Sequence, residues 1–264
     1  MNNETSSIAK LATFSSDLSS KDRAYFLVRR LLRRCKYFVG SHPSLLPILW
    51  RLTPGGLSKA ITRNTQLVVE GFPRSGNTFF AESISYFLGP DFSIASHAHH
   101  IAQIRLAVAR GIPCVVLVRH PVEVLASYLI AGPHARPKDV LREYATYHSQ
   151  ILRLVDEVQV VTFGQAINDF QRTMERVSSR WNLSLVPESF TESDRERILE
   201  RIDENHRRLF PKDPLERGVA RPSRVRTELN VKVRRELSDP EHKEKLDLCV
   251  QLFEKLKLEA GEKG

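Results

Sequence analysis

Leu67-Val-Val-Glu-Gly-Phe-Pro-Arg-Ser-Gly-Asn-Thr-Phe-Phe80 runs from an apolar stretch into a glycine-bearing loop and then into a helical pattern. A phosphate cradle needs that order. The strand fixes the loop, glycine lets the backbone approach an anion, and amides at the helix start point toward it. Gly71, Gly76 and Thr78 keep the spacing of a Walker A loop, but Asn77 stands where that motif needs a lysine, and Arg74 supplies positive charge instead. The competing reading is an ordinary strand-to-helix turn with a capping Ser or Asn. The strand, loop and helix context favours anion binding by Arg74 and the amides of Ser75, Gly76, Asn77 and Thr78.

Outward from this loop, short apolar runs predict strands at 66–70, 92–96, 114–118 and 159–163. Longer periodic stretches predict helices at 78–88, 98–110, 121–129, 137–154 and 166–181. The alternation predicts an α/β fold in three layers, a mostly parallel sheet with helices on both faces. With 264 residues and 41% hydrophobic content, the chain can bury one substantial core. The expected division is a flexible tail and basic helical arm at 1–62, then the α/β domain at 63–264. In the arm, Leu27, Leu31, Leu32 and Phe38 alternate at helical spacing with Arg29, Arg30, Arg33, Arg34 and Lys36. The bland reading packs this helix on the core with a solvated basic face. The alternatives are a membrane-surface or nucleic-acid contact.

Lys and Arg number 40 against 31 Asp and Glu, a net +9 that favours anionic partners such as nucleotides, sulfated or phosphorylated sugars, nucleic acid or anionic lipid without choosing among them. Cys35, Cys114 and Cys249 are widely spaced with no CxxC pattern, which indicates neither a disulfide framework nor a zinc site. No long apolar run and no secretory leader is visible. A cytoplasmic protein is expected, peripheral to a membrane if the arm attaches it.

A second segment, Cys114-Val-Val-Leu-Val-Arg-His-Pro-Val-Glu-Val-Leu-Ala-Ser-Tyr128, ends a strand at Arg119 and starts a helix near Pro121. Ser127 lies roughly 9 Å along that helix from Pro121, within reach of a phosphate shared with a long arginine. A Mg-dependent NTPase wants an acidic residue near the end of this strand and a lysine in its P-loop. Arg119 and Asn77 stand there instead, so phosphate is to be neutralised by arginines and backbone dipoles with no metal.

These paired segments resemble the two donor-binding signatures of the sulfotransferase family. Pro73-Arg-Ser-Gly-Asn-Thr78 is similar to its 5′-phosphosulfate loop, and Arg119 with Ser127 to its 3′-phosphate pair. The resemblance covers about 66–181 and implies a P-loop-like fold with a five-stranded parallel sheet. It implies 3′-phosphoadenosine 5′-phosphosulfate (PAPS) as donor, no metal, and an acceptor hydroxyl or amine on a glycan, lipid or small molecule, with nucleic acid not the expected partner. By the same resemblance Phe79 stacks near adenine, although it also suits the core, and Arg217 with Gly218 supplies a late donor contact. His97 resembles the catalytic base, to titrate near the ordinary histidine value of about 6.5. Ala95 replaces a lysine common in relatives, so either Arg74 carries more of the leaving-group charge or the protein is slow or only binds the donor. His99 and His100 compete for the role of base. A P-loop kinase, or a nucleotide- or nucleic-acid-binding protein without chemistry, is the alternative to a sulfotransferase.

Overall fold

Strands β1 (Leu67–Gly71), β2 (Ile94–Ser96), β3 (Cys114–Val118) and β4 (Gln159–Thr162) form one parallel sheet in the order β2-β1-β3-β4. The computed structural model describes residues 27–28, 31–32, 35, 37–52, 56–131, 135–187, 189–211, 219 and 224–262. β1 and β3 are buried at every position, so both of their faces are covered, as in a parallel sheet with helices on two sides. One face carries Val68, Val116 and Val118 and is covered by α3 (Ile101–Ala109), α4 (Pro121–Ala131), α5 (Pro137–Ile151) and α10 (Lys243–Glu259). The other carries Leu67, Val69 and Leu117 and packs on α2 (Asn77–Leu88) and α7 (Phe170–Trp181). Each such Val or Leu contributes about 1.5–3 kcal/mol relative to exposure.

The connection order positions the site. From β1 the chain passes outward to β2, then crosses back to β3 on the opposite side of β1. The carboxyl ends of β1 and β3 therefore flank the crevice where the winding direction reverses, the usual ligand position in an open α/β sheet.

The structure changes several expectations. Four strands are present among the described residues where the resemblance implies five. Phe163 opens helix α6 (Phe163–Asn168) because Thr162 caps it in a reciprocal box with Gln165, so the fourth strand stops one residue early. The helix expected at 166–181 is two, broken at Asp169. The helix expected from 98 starts only at Ile101, because 97–100 is a bent loop.

Residues 27, 28, 31, 32, 35 and 37–39 of the arm are helical, whereas the expected tail at 1–20 lies outside the described residues. This helix does not pack its apolar side on the core: Leu27, Val28, Leu31, Leu32 and Phe38 are exposed. It meets the domain through Tyr37, edge-on to His100, and through Gly40. Among the described residues no helix is long and apolar enough to cross a membrane.

Candidate functional site

The loop after β1 is pinned from below. Phe72 sits among Tyr128, Tyr144, Tyr147 and His148, with ring centroids 5.4–6.0 Å away. Asn77 turns inward and donates from Nδ2 to the Phe72 carbonyl at 3.2 Å, and its Oδ1 lies so near Gly71 that a Cβ there would meet it at 2.7 Å. The side chain at the Walker lysine position thus braces the loop and does not face an anion. Gly76 has φ 96° and, lacking a side chain, leaves the first amides of α2 uncapped. The first intrahelical bond runs from Phe80 N to Gly76 O, so the amides of Asn77, Thr78 and Phe79 precede the helical ladder.

Two site expectations shift. Ser75 is fully buried and its amide bonds Phe72 O at 3.2 Å, which takes it out of the anion-facing set. Phe79 is buried with Ile198 and Ile202 of α8 (Glu192–Leu209), a core position and not a stacking surface. The aromatic ring at the loop is Phe163. It lies 4.0 Å beneath the Arg119 guanidinium and 3.0 Å from where a Cβ on Gly76 would stand. Sequence reading assigned Phe163 to the strand, and only the Thr162/Gln165 capping pair hinted otherwise.

Arg74, Arg119 and Ser127 are brought together across the crevice. Arg74 Nε donates to Ser127 Oγ at 3.1 Å, and Arg119 Nη1 donates to the Arg74 carbonyl at 3.2 Å. Ser127 therefore meets Arg74 directly, where it was expected to partner Arg119. Tyr144 fixes the strand end by donating its hydroxyl to the Arg119 carbonyl at 2.8 Å. Glu123 takes part unforeseen, 3.5 Å from Arg119 and paired also with Arg234 of α9 (Arg224–Leu237). Burial pulls the Arg119 guanidinium below its ordinary value, with Glu123 opposing and Arg234 adding to the effect. Arg217 and Gly218 lie outside the described residues.

The histidine loop follows β2. His97 and His99 both have positive φ, 64° and 57°, uncommon for residues other than glycine. Glu70, fully buried at the end of β1, holds them there: its carboxylate accepts from Ala98 N at 2.9 Å, His99 N at 2.8 Å and Gln103 Nε2 at 2.9 Å. Burial pushes this carboxyl up to about 7, with the two amides and Lys59 pulling back. His97 Nε2 lies 3.0 Å from Thr78 Oγ1 and its Nδ1 2.7 Å from Ser96 Oγ. Its expected titration near 6.5 is corrected, because burial pushes the imidazole down to about 4. His99 Nδ1 lies 2.8 Å from the Gly71 carbonyl, which only accepts, so Nδ1 carries the proton and Nε2 keeps a lone pair. Burial, and then His97, lower His99 to about 3. His100 is buried beside Gly40, apart from the loop after β1.

A cavity of about 270 Å³ adjoins this loop, bounded by the Tyr37–Ser41 segment, His99 to Ile101, and Arg142, Glu143 and Tyr147 of α5. Among the described residues no three His, Cys, Asp or Glu side chains converge as a metal-binding group.

Neither a family model nor a curated protein matches the chain. Among solved structures it is similar to mouse sulfotransferase SULT7A1 complexed with PAP, at 11% identity over 77% of this chain and 88% of that one, with a TM-score of 0.41.

Proposed function

We propose that the chain transfers a sulfuryl group from PAPS to an acceptor hydroxyl or amine. The meeting of Arg74, Arg119 and Ser127 at the β1/β3 switch point carries this reading. Two arginines, a hydroxyl and the uncapped amides of α2 suit a ligand with separate phosphate groups. Arg74 and the amides of Gly76, Asn77 and Thr78 hold the phosphosulfate. Arg119 and Ser127 hold the 3′-phosphate, and Arg217 and Gly218 are the candidates for a further donor contact. No metal is needed, since positive side chains and backbone dipoles meet the charge.

In the transfer, the acceptor oxygen or nitrogen bonds to sulfur as the bond from sulfur to the phosphate oxygen breaks. The acceptor proton passes to histidine, and adenosine 3′,5′-bisphosphate leaves. His97 is the base of first choice because Nε2 touches Thr78, the residue at the mouth of the loop. His99 is a second reading with its own support: its tautomer leaves Nε2 able to accept, and it borders the cavity that would receive the acceptor.

Calorimetry with adenosine 3′,5′-bisphosphate, ADP and ATP tests the donor assignment. The bisphosphate is expected to bind at least about tenfold more tightly than ADP, a difference of about 1.4 kcal/mol. Equal affinities, or transfer abolished by EDTA and restored by Mg²⁺, would return the lead to a kinase.

A further inference from the structure

Eight of the fourteen large apolar side chains exposed among the described residues fall between Leu27 and Leu57. In the arm helix Leu27 is 66% exposed, Leu31 62%, Leu32 60% and Phe38 65%, and just beyond it Leu52 in α1 (Leu46–Leu52) reaches 78%. At 3.6 residues per turn, positions 27, 28, 31, 32, 35 and 38 share an arc of about 140° on one side of the helix. Tyr37, which meets the domain against His100 with ring centroids 6.4 Å apart, belongs to the other side. The helix thus leans on its own domain with the half opposite its leucines and turns the apolar half to solvent. A helix that served only the core would do the reverse.

The same stretch of sequence carries Arg29, Arg30, Arg33, Arg34 and Lys36. Charge then selects among occupants. A second copy of the chain would bring an equally basic arm against this one, in a molecule of net charge +9, and repulsion opposes that pairing. An anionic bilayer answers both features at once: the exposed apolar side enters the headgroup and acyl boundary, and a segment rich in Lys and Arg is drawn to anionic headgroups.

We infer that the segment 27–57 docks on an anionic membrane surface, lying in the interface without crossing it. This goes beyond the proposed chemistry and does not depend on it, since vesicle binding needs neither donor nor acceptor.

The test is co-sedimentation of the full chain with vesicles of phosphatidylcholine alone and with roughly 30% phosphatidylserine, at low and high salt. Partition into the anionic vesicles is expected to be at least about tenfold stronger, to fall with salt, and to be lost in the double variant Leu31→Glu/Leu32→Glu. That variant alters two exposed positions and should keep the wild-type circular dichroism and melting temperature. Equal binding to both vesicle types would overturn the inference, as would binding retained by the double variant. So would a concentration-dependent dimer in sedimentation velocity that the double variant dissolves, which would make the face a self-association surface.

Discussion

Two loops leave adjacent strands at the same end of the sheet, and they are built on opposite plans. The loop after β1 reverses direction with Arg74 at φ 75° and a glycine at φ 96°, braced by Asn77 from within the same segment. The loop after β2 has no glycine. It holds two histidines in left-handed conformation, at a cost of order 1–3 kcal/mol each, against two hydrogen bonds that its amides donate to the Glu70 carboxylate. The first loop states its conformation in its own residues, whereas the second borrows its conformation from a strand 28 positions upstream.

The largest test of that contrast is removal of the proposed base. His97→Ala is expected to lower turnover by about 10²–10⁴ with adenosine 3′,5′-bisphosphate binding unchanged. The same size of defect in His99→Ala, with a near-normal His97→Ala enzyme, would move the proton to the cavity-facing ring.

Glu70→Gln follows. The amide would present a donor to one of two N–H groups that need acceptors, so the loop should shift and turnover drop by about 10²-fold while donor affinity holds. With His97 at about 4 the base is already neutral near pH 5, so the rise in wild-type turnover should lie near 7, where Glu70 ionises. Glu70→Gln should flatten that rise, and it should also move the His97 and His99 imidazole nitrogen resonances with no substrate present. A drop in turnover with an unchanged pH profile and unmoved resonances would reduce Glu70 to a packing residue.

Arg119→Ala acts on the first loop's side of the crevice. It should erase most of the preference for adenosine 3′,5′-bisphosphate over ADP, a change of about tenfold. If ADP affinity fell by the same factor, Arg119 would serve the 5′ side instead.

The last test reads stability. His97 and His148 at about 4 and His99 at about 3 bind fewer protons folded than unfolded from the ordinary 6.5 downward, so stability should decline as pH falls through that window. Glu70 has the opposite sign. Raised from 4.5 to about 7, it contributes stability that is fully present below 4.5 and lost as pH rises through 7. Between 4.5 and 6.5 the three histidines outweigh it. Urea midpoints should therefore fall on acidification, and more steeply in Glu70→Gln. A midpoint that rose on acidification would contradict the burial of these rings.

The strands were legible because their apolar runs are continuous, and the phosphate loop because glycine, arginine and the following helix start are contiguous. Arg119 and Ser127 were legible by spacing, but their partners were not, since Arg74 bonds Ser127 across 53 residues. Glu70 stands as a polar residue within an apolar run, and no local pattern announces that its carboxylate accepts from a later loop. Phe163 was hidden by an apolar strand ending one residue before it. The outward face of the arm was invisible for a different reason: periodicity reports that a helix has an apolar side, and only contacts report which way that side points.

Gly40 gives the join between arm and domain an unusual tolerance. A Cβ there would stand 2.2 Å from His100 Nδ1 and 2.6 Å from Cγ, and His100 is a buried ring. The seam is one hydrogen atom thick, backbone against imidazole, and the Gly40 carbonyl is already engaged by Ala102 N at 3.1 Å. In a saturation library this position should behave as though it belonged to the core, while Leu31 or Leu52, large and apolar, should accept almost any residue as far as folding is concerned. Mutational tolerance here follows the thickness of the joint and not the size of the side chain.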